Sequence, residues 1–129
     1  MADPFEPVFE SDEADAFLSA IGVQAAVANP AIPAFVSANA GSGKTKVLID
    51  RVARLLLRRA DGRPGAAPDS ILCITYTKAA ASEMLSRLFK TLGRWSVMKD
   101  EKLREELAKL EGRTDAAYTP DDLKAARAL

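Results

Sequence analysis

Gly41, Ser42, Gly43, Lys44 and Thr45 stand in the order a backbone needs to wrap around a phosphate group. With Ala38, Asn39 and Ala40 before them they form Ala-Asn-Ala-Gly-Ser-Gly-Lys-Thr. That is the phosphate-binding pattern G-x-x-x-x-G-K-[ST], with Ala38 where the first glycine is usual. The glycines let successive N–H groups turn inward toward phosphate oxygens. A helix starting near Lys44 adds the positive end of its dipole. Lys44 brings a mobile point charge for the terminal phosphates, and the Thr45 hydroxyl suits Mg²⁺. Lys46 closes the stretch expected to contact the nucleotide.

Those side chains need elements to hold them. Ala34–Ala38 is a short apolar run of strand length, and a helix is expected from Lys44 to Arg59. On that helix Leu48, Val52, Leu55 and Leu56 make an apolar face, while Arg51, Arg54, Arg58 and Arg59 read as a polar one. The loop 61–69 is rich in helix-stopping residues. Ser70–Tyr76 is continuously apolar at its centre, as a buried parallel strand is, which makes Cys73 a core thiol. Thr77 caps an expected helix over Lys78–Leu92, with Met84, Leu85, Leu88, Phe89 and Leu92 inward. Trp95 reads as a packing anchor. A charged helix over 100–111 stops at Gly112, and Thr119-Pro120-Asp121-Asp122 opens another. Upstream, Ser11 or Asp12 begins a helix through Ala14, Phe17, Leu18, Ile21 and Ala25. The fold class expected from this order is α/β, a parallel sheet with flanking helices.

Thr75-Tyr76-Thr77-Lys78-Ala79-Ala80-Ala81-Ser82-Glu83-Met84, about thirty residues after the phosphate loop, adds a second constellation. Together the two resemble the UvrD/Rep group of superfamily 1 DNA helicases, and within it the AddA-type subunits of bacterial helicase-nucleases. The resemblance spans roughly residues 20–98. It implies a P-loop NTPase (RecA-like) sheet, of which this chain is the incomplete N-terminal part of the first motor domain. It also implies ATP and Mg²⁺ as cofactors, 3′→5′ translocation on DNA, and an AddB-like partner in the full-length protein. Gln24, twenty residues before Lys44, falls where the group has its adenine-reading glutamine. A glutamine amide offers the donor and acceptor that the adenine edge requires; the other reading is a solvent-facing helical Gln. Thr75, Tyr76, Thr77 and Lys78 are implied to touch single-stranded DNA, Tyr76 by stacking and Lys78 at phosphate. The other reading of Tyr76 is an aromatic covering the core. Many relatives read Thr-Asn-Lys-Ala-Ala at this point, so here the basic residue comes one position earlier, a form the AddA type also has. The alternatives left open are a UvrD- or RecB-type helicase without AddB, and a stand-alone P-loop phosphotransferase domain.

The chain has 129 residues, with eighteen Lys and Arg, eighteen Asp and Glu, no His and one Cys. This excludes a histidine-based triad, a zinc finger and an internal disulfide. The zero net charge hides a sorting along the chain. Residues 1–43 hold six acids and no base, which leaves eighteen bases and twelve acids in 44–129. No apolar run has membrane-spanning length, and an acidic N-terminus with a lone Cys suits the cytoplasm. Expected boundaries are an acidic arm over 1–11, the ATP-binding part over 12–98, and a helical segment over 99–129 that begins an insertion or subdomain. No apolar strand ending in Asp-Glu follows Met84, so these residues alone are expected to hydrolyse ATP poorly and not to unwind DNA.

Overall fold

A computed structural model describes residues 22–37 and 43–129. The order along the chain is α1 (22–27), α2 (Lys44–Leu56), α3 (Lys78–Val97), α4 (Asp100–Glu111) and α5 (Pro120–Arg127), with 3-10 turns at Pro68–Ser70 and Asp115–Ala117. The acidic arm, the expected start of the first helix and Ala38–Ser42 of the phosphate loop lie outside the described residues.

The expected parallel sheet is not formed: the described residues hold helices and turns and no strand. Residues 33–37 and 71–75 are irregular, although Ile71 keeps extended dihedrals. A helix makes its hydrogen bonds within itself, whereas a strand needs neighbours for every N–H and C=O. Two short segments can give each other at most one ladder, and a sheet becomes independently stable only with three or more strands or packing on a helix. Phe35, Leu72 and Ile74 therefore stand in solvent at 82% exposure or more. Cys73, expected in the core, is exposed with them.

Helix faces do the burying instead. On α2 the buried residues are Val47, Ile49, Val52, Ala53 and Leu56; Val52 and Leu56 were expected there, whereas Leu48 is exposed. On α3, Met84, Leu88, Leu92 and Trp95 point inward at spacings of three and four, leaving Leu85 and Phe89 outside. Residues 99–129 join the same core, with Leu103, Leu107, Ala108, Leu123 and Ala126 packed in one cluster with Ile49, Val52 and Trp95. Trp95 is the anchor that its sequence context indicated. It is 1% exposed, and its indole N–H donates to Glu106 at 3.3 Å.

Helix ends follow local chemistry. The Thr77 hydroxyl accepts from the Ala80 N–H at 3.1 Å and starts α3 at Lys78 as expected. α3 then runs past Leu92 to Val97. α4 closes on Gly112 at φ 65°, in the left-handed region glycine favours. α5 opens with a reciprocal box: the Thr119 hydroxyl accepts from the Asp122 N–H, and the Asp122 carboxylate accepts from the Thr119 N–H. After α2 the chain folds back so closely that a Cβ on Gly65 would sit 2.1 Å from the Leu56 carbonyl oxygen. The Ala66 N–H donates to the Leu55 carbonyl at 2.7 Å there.

Cross-links tie α5 to the rest. Arg58 reaches from beyond α2 to the Asp122 carboxylate at 2.9 Å. Arg127 donates to the Met98 carbonyl at 2.8 Å and pairs with Asp100. The Tyr118 hydroxyl donates to the Glu111 carboxylate at 2.5 Å, with the Leu107 carbonyl 2.9 Å away. Burial and the Glu111 bond both push that phenol above its ordinary range, and Arg113 lies 4.9 Å from the ring centroid.

Leu103, fully buried, is the test of this core. Leu103→Ala should lower the unfolding free energy by about 2–5 kcal/mol in a urea titration. Phe89→Ala should change it by less than about 0.5 kcal/mol; equal costs at both positions would overturn the packing described. A second outcome concerns acid. Burial pushes the Asp122 carboxyl up, but bonds from Thr119 and Arg58 outweigh it and hold the group below its usual range. A depressed folded pKa stabilises fully above the unfolded value of about 3.9, and that stability drains as pH falls through the folded pKa. Asp122→Asn should therefore flatten the acid limb of a melting-temperature profile below about pH 4. An unchanged acid limb would remove Asp122 from that role.

Candidate functional site

α2 begins unlike the other long helices. Its N-cap, Gly43, has φ +87° and offers no side-chain cap, and no acid stands in its first turn. By contrast α3 has the Thr77 cap, α4 has Asp100 and Glu101, and α5 has both a cap and acids. The first N–H groups of a helix have no partner within it. On α2 they are flanked by Lys44 and Lys46, with exposed Thr45 among them. The first bond of the helix ladder comes one turn in, where the Val47 N–H donates to the Gly43 carbonyl at 3.0 Å.

Gln24 stands next to this end. A Cβ added to Gly43 would meet the Gln24 side-chain nitrogen at 3.0 Å. The chain thus brings together two groups expected in one site, nineteen positions apart. Lys46 turns along its own helix to Asp50, 2.5 Å away. Ala38, Asn39, Ala40, Gly41 and Ser42, the rest of the expected nucleotide contacts, lie outside the described residues.

Beside Gln24 and Lys46 opens a cleft of about 910 Å³, floored by Ile49 and Trp95 and rimmed by α3 and α4. Its charges are largely matched: Lys46 with Asp50, Arg94 with Glu106 at 2.6 Å, Lys102 with Glu105 at 3.5 Å. It is a mixed, half-open surface, and not a concentrated anion trap. Its α3 side begins at Arg87, ten residues beyond Thr77, or about 15 Å along the helix.

Thr75, Tyr76, Thr77 and Lys78 accordingly form a separate group at the start of α3. The Thr75 hydroxyl donates to the Thr77 carbonyl at 3.0 Å, closing a tight turn before the cap. Tyr76 is completely exposed and covers no core among the described residues, and Lys78 is exposed beside it. Among the described residues no cluster of His, Cys, Asp and Glu is placed to hold a metal ion. No described helix is long and apolar enough to cross a membrane.

The sequence did not reveal what positions Gln24. Arg51 and Arg54, read as a polar face, reach across to main-chain carbonyls in and after α1 at 2.5–3.0 Å. Burial lowers the Arg54 pKa from its ordinary value, against the pull of Glu111, Tyr118 and Asp50. Its Nε is buried without a hydrogen-bond partner among the described residues, an arrangement that costs roughly 1–3 kcal/mol. The available signal was the three-residue spacing of Arg51 and Arg54 beside the buried stripe.

Residues 22–117 match the model of the family described as UvrD/REP helicase N-terminal domain. The chain belongs to this family. Among curated relatives are ATP-dependent helicase/nuclease subunits of the A type. That of Levilactobacillus brevis is 43% identical over 77 residues, covering 60% of this chain and 5% of the relative. That of Latilactobacillus sakei is 45% identical over 65 residues, 50% of this chain and 7% of the relative. DNA helicase II of Escherichia coli is 41% identical over 68 residues, 53% and 9% respectively. The chain therefore spans less than a tenth of the length of these relatives. No solved structure matches it.

Proposed function

We propose that this chain is the ATP-binding N-terminal part of an ATP-dependent 3′→5′ DNA helicase-nuclease of the AddA kind, a cytoplasmic protein of double-strand-break repair that works with an AddB-like partner. The observation that carries the nucleotide reading is the start of α2: a helix with neither a side-chain cap nor an acid, a left-handed glycine before it, and lysines in its first turn. A helix start of this kind, at the positive end of the dipole and with no acid beside it, favours an anion. Lys44 then supplies charge to the terminal phosphates. Thr45 would offer its hydroxyl to Mg²⁺, and the bound metal would screen phosphate charge and orient the nucleotide. Ala38–Ser42 and Lys46 complete the contacts in this reading, and Gln24 offers its amide to the adenine edge. Support for that last role is the approach of Gln24 to Gly43.

For DNA, the reading rests on the start of α3. A fully exposed tyrosine before a helix N-terminus, followed by exposed Lys78, suits a stacked base and its phosphate. Thr75 and Thr77 brace that turn and add hydroxyls within reach of the same strand. The separation from Gln24 gives nucleotide and DNA different ends of the helical layer.

Lys44→Ala should weaken MgATP binding by about tenfold to a hundredfold in calorimetry, the loss expected for one charge-assisted contact. Undiminished ATP binding or hydrolysis would sink the phosphate-loop assignment. Tyr76→Ala should weaken binding of a fluorescent single-stranded oligonucleotide by roughly tenfold without changing ATP affinity. Equal affinity of the variant for DNA would exclude Tyr76 as a base platform.

A further inference from the structure

The last carbonyls of α1 are divided between two kinds of donor. Those of Gln24 and Ala26 are taken by the N–H groups of Ala28 and Asn29, at 2.9 and 3.2 Å. Those of Ala25 and Val27 are taken by arginines from α2: Arg54 Nη1 donates to Ala25 at 2.7 Å, and Arg51 Nη1 donates to Val27 at 3.0 Å. Arg51 Nη2 also donates to the Ile32 carbonyl at 2.5 Å, in the turn that follows. Carbonyls at a helix C-terminus have no intrahelical partner and carry the negative end of the dipole, so cations complete them. Arg51 spans two carbonyls at once, which a planar fork can do and an ammonium cannot do in the same geometry. The segment so held carries Gln24, one residue before the Arg54 contact, with its amide against Gly43. Arg54 keeps this contact although its Nε is buried without a partner among the described residues.

We infer that Arg51 and Arg54 are positioning residues for base selection: by completing the C-terminal end of α1 they fix Gln24 beside Gly43, and with it a preference for adenine over guanine nucleotides. The inference rests on the reading of Gln24 as the adenine contact. A purely structural pair would affect both nucleotides alike. A positioning pair acts through Gln24 and changes the base preference alone.

The test is the ratio of Kd values for MgGTP and MgATP, measured on the 129-residue chain with helicity checked by circular dichroism. Gln24→Ala should lower the preference for ATP by about tenfold, the discrimination one two-bond base contact provides. The pair Arg51→Met and Arg54→Met should lower it by a similar factor and leave the Kd for MgGTP unchanged. All three substitutions together should do no more than Gln24→Ala alone, because the arginines act through that side chain. Arg51→Lys, which keeps one of the two contacts, should give an intermediate ratio. If Gln24→Ala leaves the preference intact, or the unsubstituted chain binds neither nucleotide, the adenine reading fails and this inference with it. Loss in Gln24→Ala with full preference in the arginine pair overturns the inference alone, as does an additive triple variant. Should the arginine pair lose helicity, Arg51→Lys decides: a reduced ratio supports the inference and an unchanged one overturns it.

Discussion

A backbone can satisfy its own hydrogen bonds along one continuous segment only as a helix, and this constraint shapes the whole molecule. Every described element that holds together does so because its bonds close within a turn or two, leaving the side chains to find each other. Apolar segments that need a neighbouring strand, around Phe35 and between Leu72 and Ile74, are left in water. The core then falls to the long helices, and its centre moves to Trp95, Leu103, Leu107 and Leu123, well along the chain from the phosphate loop. A helical layer of this kind supplies two things to the chemistry: a rigid α2 that starts at Lys44, and a rigid α3 that starts at Lys78.

Polar groups shape the surroundings of both starts, across the layer beside α2 and within one turn at α3. Arg51 and Arg54 draw α1 onto α2, while Thr75 and Thr77 shape the entry to α3. Arg58 and Arg127 hold α5 against the same layer. The buried apolar cluster sets how much stability there is; the arginines tie α1 and α5 to it. Where their donors meet main-chain carbonyls, the bonds are directional and charge-assisted, which adds geometric specificity to the packing.

Much of this was legible in the residues. Thr77, Gly112 and the Thr119–Asp122 box announced helix ends that the structure keeps, because capping is settled within four residues and does not depend on distant chain. Gln24 and Gly43, singled out by type and spacing, lie side by side, while Ala38–Ser42 are outside the described residues. Strand identity was not legible, since a continuous apolar run such as Ile71–Ile74 states only a wish for burial, and its partners must come from elsewhere. On α2 the expected Val52 and Leu56 are buried but Leu48 is not, and on α3 the expected face is too broad. Apolar periodicity marks a stripe, but the neighbours choose which edge of it is covered, so Leu48, Leu85 and Phe89 stayed outside. The arginine contacts to α1 were illegible for a related reason: a long cation on a polar face gives no hint of which carbonyl it will find.

The displaced position of Cys73 has a practical side. It is the chain's one cysteine, it is exposed, and it stands three residues before the exposed ring of Tyr76. A maleimide dye would therefore attach at a single place without any engineered mutation, next to the turn proposed to meet DNA. The residue that belonged to the expected core becomes the natural handle for a spectroscopic reporter, whose emission would register what arrives at the head of α3.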